Sequence, residues 1–329
     1  MVPPVPSEGV TDGVGGVDVP RAQSGHSPQH LLATLLGEYL DSADAMLPSA
    51  AVVAVLGEFG ITPASARAAL SRLTRRGLLD ARGSGRATVY HLTPQSIGGH
   101  RSTMHRFLAF GAESRTWDGT WVAAAFSLPQ DEQARRHVVR KTLASLGFVR
   151  FYDTVWISPT ADGGPARDAL DSVLRDVGGA RWSIMRVQFD EAGPHGPASA
   201  YDLDGLASAY RAFIDEYAPL RGEIQAGTID GARALVARTT LMDVWRRFCQ
   251  RAPDLPRELL PNPWPRDEAR ALFLEVHTAL GPLAQHRLVE VLTPSWPGAA
   301  VWVTHFTAAD DASVPPRRGR NVSDEWRLE

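Results

Sequence analysis

A helix followed directly by a glycine-rich hairpin, residues 62–90, restricts the fold of this chain more than any other feature. Thr62 is suited to cap the helix N-terminus, and Pro63 stands at the first helical position, where proline is tolerated. Gly77 is suited to end the helix because glycine adopts a left-handed backbone conformation without steric cost. The pattern therefore predicts a helix that ends at Gly77 and leads into two short strands.

The predicted helix has two different faces. At about 100° per residue, the apolar side chains fall in one arc that must face a core: Ala66, Ala69, Leu70 and Leu73. The opposite face carries Arg67, Ala68, Ser71, Arg72 and Arg75, with Arg76 at its edge. Residues 61–90 contain six arginines and one acid, Asp80, so their net charge is +5 in a chain whose net charge is −3.

This stretch has the chemistry that a nucleic acid requires. Guanidinium groups donate bidentately to phosphates and base edges, and small residues let a helix approach a groove closely. Arg82 and Arg86 flank the glycines of the hairpin tip. In a winged helix-turn-helix this hairpin, called the wing, lies along the DNA backbone and contacts its phosphates. Two further helical patterns precede the stretch, so we predict a winged helix-turn-helix that binds DNA. The alternative is an arginine-faced surface helix beside an exposed hairpin.

The rest of the chain divides into two blocks between polar ends. Residues 116–190 follow the order strand, helix, strand, strand, helix, strand, which is the ferredoxin-like βαββαβ arrangement. Apolar residues recur at helical spacing over 206–217, 229–250 and 267–280, and the apolar run 300–306 is compatible with a strand.

We therefore predict an α+β protein with an N-terminal winged helix-turn-helix, a central ferredoxin-like domain and a mainly helical C-terminal domain. The predicted boundaries are a disordered leader over 1–26, the DNA-binding domain over 27–95, a linker over 96–115, the central domain over 116–192, the C-terminal effector and dimerisation domain over 193–307, and a flexible tail over 308–329.

Several kinds of chemistry are not indicated. Cys249 is the only cysteine, so one chain can form neither an internal disulfide nor a cysteine zinc site. The sequence has no HExxH or GxSxG motif, no secretion signal and no run of eighteen apolar residues. We expect a cytoplasmic protein that is not an enzyme and uses no metal or other cofactor.

Three separated stretches together resemble one family of bacterial regulators. They are residues 64–79; residues 126–129, the arginine-rich helix that follows up to 146–148, and residues 155–159; and residues 241–248, 254–261, 264–265 and 269–273. In this order they resemble the phenylacetate-degradation repressor (PaaX-type) family, over about residues 30–285.

The resemblance implies a homodimeric repressor that leaves its DNA operator when it binds an acyl-CoA. It implies that the recognition helix uses Ser65, Arg67, Ser71, Arg72, Arg75 and Arg76, beside the cap residue Thr62. For the effector we predict a lining by Trp245, Arg246 and Arg247, because an aromatic acyl group packs on tryptophan and guanidinium groups bind phosphates. The alternative for these three residues is a packed helix with a solvated basic edge.

Two other functions compete with the repressor. The central block resembles the small ferredoxin-like CRISPR-associated nucleases, which hold a metal with an acidic residue at the end of the first strand. Here that strand ends in residues 124–127, Ala-Ala-Phe-Ser, without a carboxylate. The third candidate is an architectural DNA-binding protein without an effector, which would bind duplexes without sequence selectivity.

Overall fold

A computed structural model describes residues 27–40, 42–84, 87–112, 117–190, 196–253 and 255–307. The predicted leader and tail lie outside these residues. Chain contacts divide the protein into two compact units. The first is Trp117–Leu206, which we call the central unit. The second combines the described residues up to 112 with those from 207 onward, and we call it the split unit.

The N-terminal part of the split unit consists of three helices and a small sheet. Its elements are α1 (Pro28–Tyr39), β1 (Leu47–Pro48), α2 (Ser49–Gly57), α3 (Pro63–Arg75), β2 (Leu79–Ser84) and β3 (Ala87–Leu92). The strands pair antiparallel in the order β1-β3-β2, so the β2–β3 hairpin extends from a sheet anchored by β1. Helix α3 packs on both α1 and α2.

The segment predicted as a linker, 96–115, is helical over most of its length in α4 (Pro94–Ala109). Thr93 caps this helix by accepting a hydrogen bond from the Ser96 amide at 3.1 Å. Met104, Phe107 and Leu108 are buried, and the helix packs on α1 and on a later helix of the split unit. Its apolar residues are too few to form an obvious period, so tertiary packing rather than local pattern makes this segment helical.

The central unit has the element order read from the sequence: β4 (Trp121–Ser127), α5 (Gln133–Ser145), β5 (Val149–Tyr152), β6 (Val155–Ser158), α6 (Gly163–Leu174) and β7 (Arg181–Val187). The strands form one antiparallel sheet in the order β5-β6-β4-β7. Alternate residues of β4, Val122, Ala124 and Phe126, share a core with α5 and α6.

The C-terminal part of the described chain is helical: α7 (Leu203–Tyr217), α8 (Pro219–Gln225), α9 (Gly231–Arg251), α10 (Pro265–Leu292) and α11 (Ala299–Trp302). Helices α9 and α10 pack along each other. Helix α10 continues past the predicted end at Leu280 and through Pro282, because Ala284, Leu288 and Leu292 continue its buried face.

The strand predicted over 300–306 is wrong for most of that run. Residues 299–302 form a helical turn, and only Val303 makes a β-bridge, to Leu40. Beyond it, the amides of Thr304 and Phe306 donate to the carbonyls of Tyr39 and Glu38 at 3.0 Å. Within the turn the Val303 amide donates to the Ala299 carbonyl at 3.0 Å, so these residues bond among themselves and pairing with the end of α1 begins only at Val303.

Candidate nucleic-acid interface

Helix α3 begins at the predicted residue, and its last helical residue is Arg75, two residues before the terminating Gly77. The Thr62 hydroxyl accepts a hydrogen bond from the Ser65 amide at 3.3 Å, and Pro63 follows in the first turn. At the other end Gly77 has a φ of 70°, and the Leu78 amide donates to the Leu73 carbonyl at 3.0 Å. This is the left-handed helix end that favours glycine, so the hairpin leaves α3 at a fixed angle.

The buried face of α3 is the predicted one. Ala66, Ala69, Leu70 and Leu73 are at most 1% exposed. The exposed face presents Arg67, Ala68, Ser71, Arg75 and Arg76, whereas Ser65 and Arg72 are half-buried. The helix thus carries Arg67 and Arg75 outward, with Arg76 directly after it, while its other side is fixed in the core of the split unit.

The hairpin extends the basic surface. Arg82 is exposed on β2, in register with Val89 of β3. Arg86, the second predicted wing arginine, lies outside the described residues. With α3, the described part of the hairpin forms a surface rich in guanidinium donors, and these suit phosphate oxygens and base edges.

Three buried polar side chains, two of them charged, hold α1 to the C-terminal helices. Glu38 of α1, Arg238 of α9 and His277 of α10 are each at most 1% exposed. Arg238 lies 3.2 Å from a Glu38 carboxylate oxygen, and His277 Nε2 lies 2.6 Å from the same oxygen. Arg238 also donates to the carbonyls of His277 at 3.0 Å and Phe306 at 2.7 Å.

Burial, reinforced by the charge of Arg238, lowers the pKa of His277 to about 4, although Glu38 opposes the shift. The imidazole is therefore neutral at pH 7. Because a carboxylate only accepts hydrogen bonds, the neutral ring donates from Nε2 to Glu38. The cluster thus contains one full ion pair and one neutral donor.

A second ion pair joins the N-terminal helices to α10. The Arg287 guanidinium donates to both carboxylate oxygens of Glu58, at 2.9 and 3.0 Å. This is the bidentate geometry that makes arginine–carboxylate pairs directional. Both halves of the split unit are therefore connected at the end of α1 and just after α2.

Of the predicted effector residues, Trp245 and Arg246 are buried in the split unit and Arg247 is half-buried. The Trp245 ring is buried, stacks on Phe273 with centroids 4.7 Å apart, and donates from Nε1 to the Phe107 carbonyl at 2.8 Å. Arg246 and Arg247 both bind the carboxylate of Asp243, at 2.7 and 2.5 Å. In this structure the three side chains are occupied by contacts within the protein.

Sequence reasoning did not single out Glu38, Arg238 or Asp243. The sequence signal that could have identified them is a charged residue at a position of a helix where the pattern expects an apolar one. Glu38 lies between Leu36 and Leu40, and Arg238 and Asp243 lie within α9. Charges at such positions are rarely buried without a partner, so each indicates a pairing that periodicity alone does not identify.

The described residues contain no group of three or more His, Cys, Asp or Glu side chains placed to hold a metal ion. Within the same part of the chain, no helix is both long and apolar enough to span a membrane.

The fold and this surface define an α+β protein that presents an arginine-bearing helix with a hairpin beside it. Three stretches match models of one family: residues 27–96 match the PaaX-like protein, residues 114–192 the PaaX protein central Cas2-like domain, and residues 201–290 the PaaX-like protein C-terminal domain. The chain therefore belongs to the PaaX family.

Among characterised proteins, the chain is similar to the transcriptional repressor PaaX of Escherichia coli (strain K12). The two are 26% identical over 266 residues, which cover 77% of this chain and 80% of the relative. Among solved structures, it is similar to the uncharacterized protein Rv0674 from Mycobacterium tuberculosis. That match has 20% identity and a TM-score of 0.49, and it covers 78% of this chain and 96% of the other.

Proposed function

We propose that this protein is a DNA-binding transcriptional repressor that acts in the cytoplasm and is not an enzyme. The observation that carries the proposal is the outward arginine face of α3, fixed by a buried face, a capped start and a glycine end. Family membership and the similarity to the Escherichia coli repressor support the same function.

In this proposal residues 27–95 act as a winged helix-turn-helix. Helices α2 and α3 form the helix-turn-helix, α3 enters the major groove, and the β2–β3 hairpin is the wing. A major groove about 12 Å wide admits one helix, so the side chains of Arg67, Ser71 and Arg75 would reach base edges. Thr62, Ser65, Arg72, Arg76, Arg82 and Arg86 complete the proposed DNA-binding set.

We propose a ferredoxin-like fold for the central domain, 116–192, supported by its strand order and antiparallel pairing. We also propose that two copies form a homodimer through the central and C-terminal domains. A single winged helix buries little surface on DNA, and two half-sites about one helical turn apart supply the missing affinity.

The effector proposal is an aryl- or acyl-CoA that releases the operator. Because Trp245 is buried, another surface of the split unit is the better candidate for binding the acyl group of the effector. A cleft of about 270 Å³ is lined by Leu260, Pro261 and Trp264 together with the polar residues Arg257, Glu258, Asn262, Arg266 and Asp267. Adding phenylacetyl-CoA to a preformed DNA complex tests this, with a fall in anisotropy as the expected result.

Titration of four variants tests the DNA-binding proposal. We expect Arg72→Ala or Arg75→Ala to weaken binding to the operator by about 1–3 kcal/mol, because both residues belong to the proposed recognition helix. Arg82→Ala and Arg86→Ala should weaken all duplexes about equally and reduce the salt dependence, because phosphates carry no sequence. The measurement is anisotropy against salt, with an unrelated duplex as control. Four unchanged titrations would remove the winged-helix assignment.

A further inference from the structure

Helix α4 is bonded at both ends to parts of the split unit that the proposed function uses. At its start, the Thr93 hydroxyl donates to the Gly77 carbonyl at 2.9 Å and accepts from the Ser96 amide at 3.1 Å. The Thr93 amide also donates to the Leu78 carbonyl at 3.4 Å. Since Gly77 ends the proposed recognition helix, one threonine both caps α4 and binds the end of α3.

The other end of α4 is bonded to the two long C-terminal helices. The last carbonyls of a helix have no partner within it, so they need donors from elsewhere. The Arg270 guanidinium of α10 donates to the carbonyls of Leu108 and Phe110, at 3.0 and 3.1 Å. The Trp245 indole of α9 donates to the Phe107 carbonyl at 2.8 Å. A movement of α9 or α10 therefore acts directly on the C-terminus of α4.

The cleft at the start of α10 contacts this end of α4 through Arg266. The Arg266 side chain lines the cleft, and the residue is 6% exposed. Gly111, two residues after α4, packs against it: a Cβ at Gly111 would lie 3.2 Å from the Cδ and Nε atoms of Arg266. Arg270 stands four residues after Arg266, one turn further along the same face of α10. A ligand that displaces Arg266 would therefore disturb the end of α4.

Two adjacent glycines make α4 depend on the contacts at its ends. The helix has 16 residues and is about 24 Å long at 1.5 Å per residue. Gly98 and Gly99 lie within it, and glycine weakens a helix relative to alanine because more backbone freedom is lost. Since helix formation is cooperative, loss of the contacts at one end weakens the whole element.

We propose that α4 couples the cleft at the start of α10 to the recognition helix α3, with Thr93 and Arg270 as positioning residues at its two ends. This inference rests on the proposed function, because it names how the C-terminal domain controls DNA binding. An ordered α4 holds the end of α3 in the orientation that fits the groove. A ligand that displaces Arg266 favours the conformation with a loosened α4, and this lowers the affinity for the operator.

Helix α1 provides another connection between the same parts, because it packs on both α3 and α9. Its contacts with the C-terminal helices include the buried pair of Glu38 and Arg238. Substitutions of Thr93 and Arg270 leave that pair in place, so they test α4 separately from α1.

The test is a double-mutant cycle of Thr93→Val and Arg270→Gln in the full-length protein, with operator binding followed by anisotropy. We expect each single change to weaken binding about three- to tenfold, and the double variant to bind about as weakly as the weaker single variant, because both changes remove one coupling. Thr93→Ser keeps the hydroxyl and should bind like the wild type. The control Arg221→Gln removes a surface pair with Glu275 of α10, at 2.8 Å, and should change nothing.

Gly98→Ala gives a readout that a purely structural role of Arg270 would not produce. A Cβ at Gly98 meets no atom within 4 Å, so alanine stabilises α4 without new contacts. In the Arg270→Gln background it should recover most of the lost operator affinity. Gly222→Ala in α8 is the matched control, since a Cβ there also meets no atom within 4 Å, and it should recover none.

Three results would overturn the proposal. The first is wild-type operator binding by Arg270→Gln while Arg75→Ala binds more weakly; the proposed function then stands, whereas it fails if Arg75→Ala also has no effect. The second is a double variant in which the two fold-changes multiply, as they do for independent sites. The third is equal recovery by Gly98→Ala and Gly222→Ala. The cycle needs no ligand, so it tests α4 separately from the identity of the effector.

Discussion

Replacing Arg238 by alanine should lower the free energy of unfolding by about 3–5 kcal/mol, because it leaves the buried Glu38 carboxylate without its ion-pair partner. The same change removes the donor to the carbonyls of His277 and Phe306. It therefore loosens α1, α10 and the C-terminal segment together. Urea denaturation followed by circular dichroism measures the loss.

Arg233→Ala is the matched control for this prediction. Arg233 is on the same helix, and its pair with Glu223 is exposed, so its removal should change stability by about 1 kcal/mol or less. In a double-mutant cycle, Glu38→Gln with Arg238→Met should be more stable than Arg238→Ala alone, because no uncompensated charge stays buried. Equal losses for Arg233→Ala and Arg238→Ala would contradict the buried-pair account.

Trp245→Ala should lower the free energy of unfolding by a similar amount, about 3–5 kcal/mol. The ring is fully buried, and removing it leaves a cavity against Phe273 and leaves the Phe107 carbonyl with only the weak Cys249 thiol donor at 3.9 Å. Trp245→Phe retains most of the packing and should lose only about 1–3 kcal/mol, the cost of the lost indole hydrogen bond.

Leu283→Ala serves as the control for Trp245, since Leu283 is a large apolar residue of α10 that is 44% exposed. Its truncation should change stability by about 0.5 kcal/mol or less. A Trp245→Ala protein with wild-type stability would mean that the ring is not a core residue, and a ligand-facing role for Trp245 would then regain support.

Helix α3 could be predicted from sequence because every local signal agreed. Thr62, Pro63 and Gly77 marked its ends, and the apolar period marked its buried face. Such agreement of cap, period and terminator is what makes a short segment adopt one structure regardless of its partners. The exposed arginines followed directly from that helix, without knowledge of the rest of the fold.

The contacts between distant segments could not be predicted in the same way. Glu38 and His277 are 239 residues apart, and nothing local to either residue indicates the other. The same reason explains α4, which is helical because of what it packs on, and residues 300–306, which pair with the end of α1 only from Val303 onward. The local pattern of Trp245 and its neighbouring arginines fits both an effector site and a packed core. Only the tertiary contacts of these residues distinguish the two interpretations.

Those contacts also have a functional consequence for the proposed repressor. Glu38, Glu58 and Thr34 each bind a side chain of α9 or α10, so three separate polar contacts join the N-terminal and C-terminal segments of the split unit. A ligand that shifts α9 or α10 would therefore act on α1 and, through it, on α3. An effector needs such a coupling, since it changes DNA affinity only if it prefers one conformation.

The most direct test of DNA reading is selection from a pool of random duplexes by the purified full-length protein. We expect enrichment of one motif with two related half-sites whose centres are separated by about one helical turn or a multiple of it. Arg75→Ala should relax the base preference at one position of each half-site while the protein still folds. A pool that stays random after repeated selection with the wild-type protein would contradict the assignment of α3 as a recognition helix.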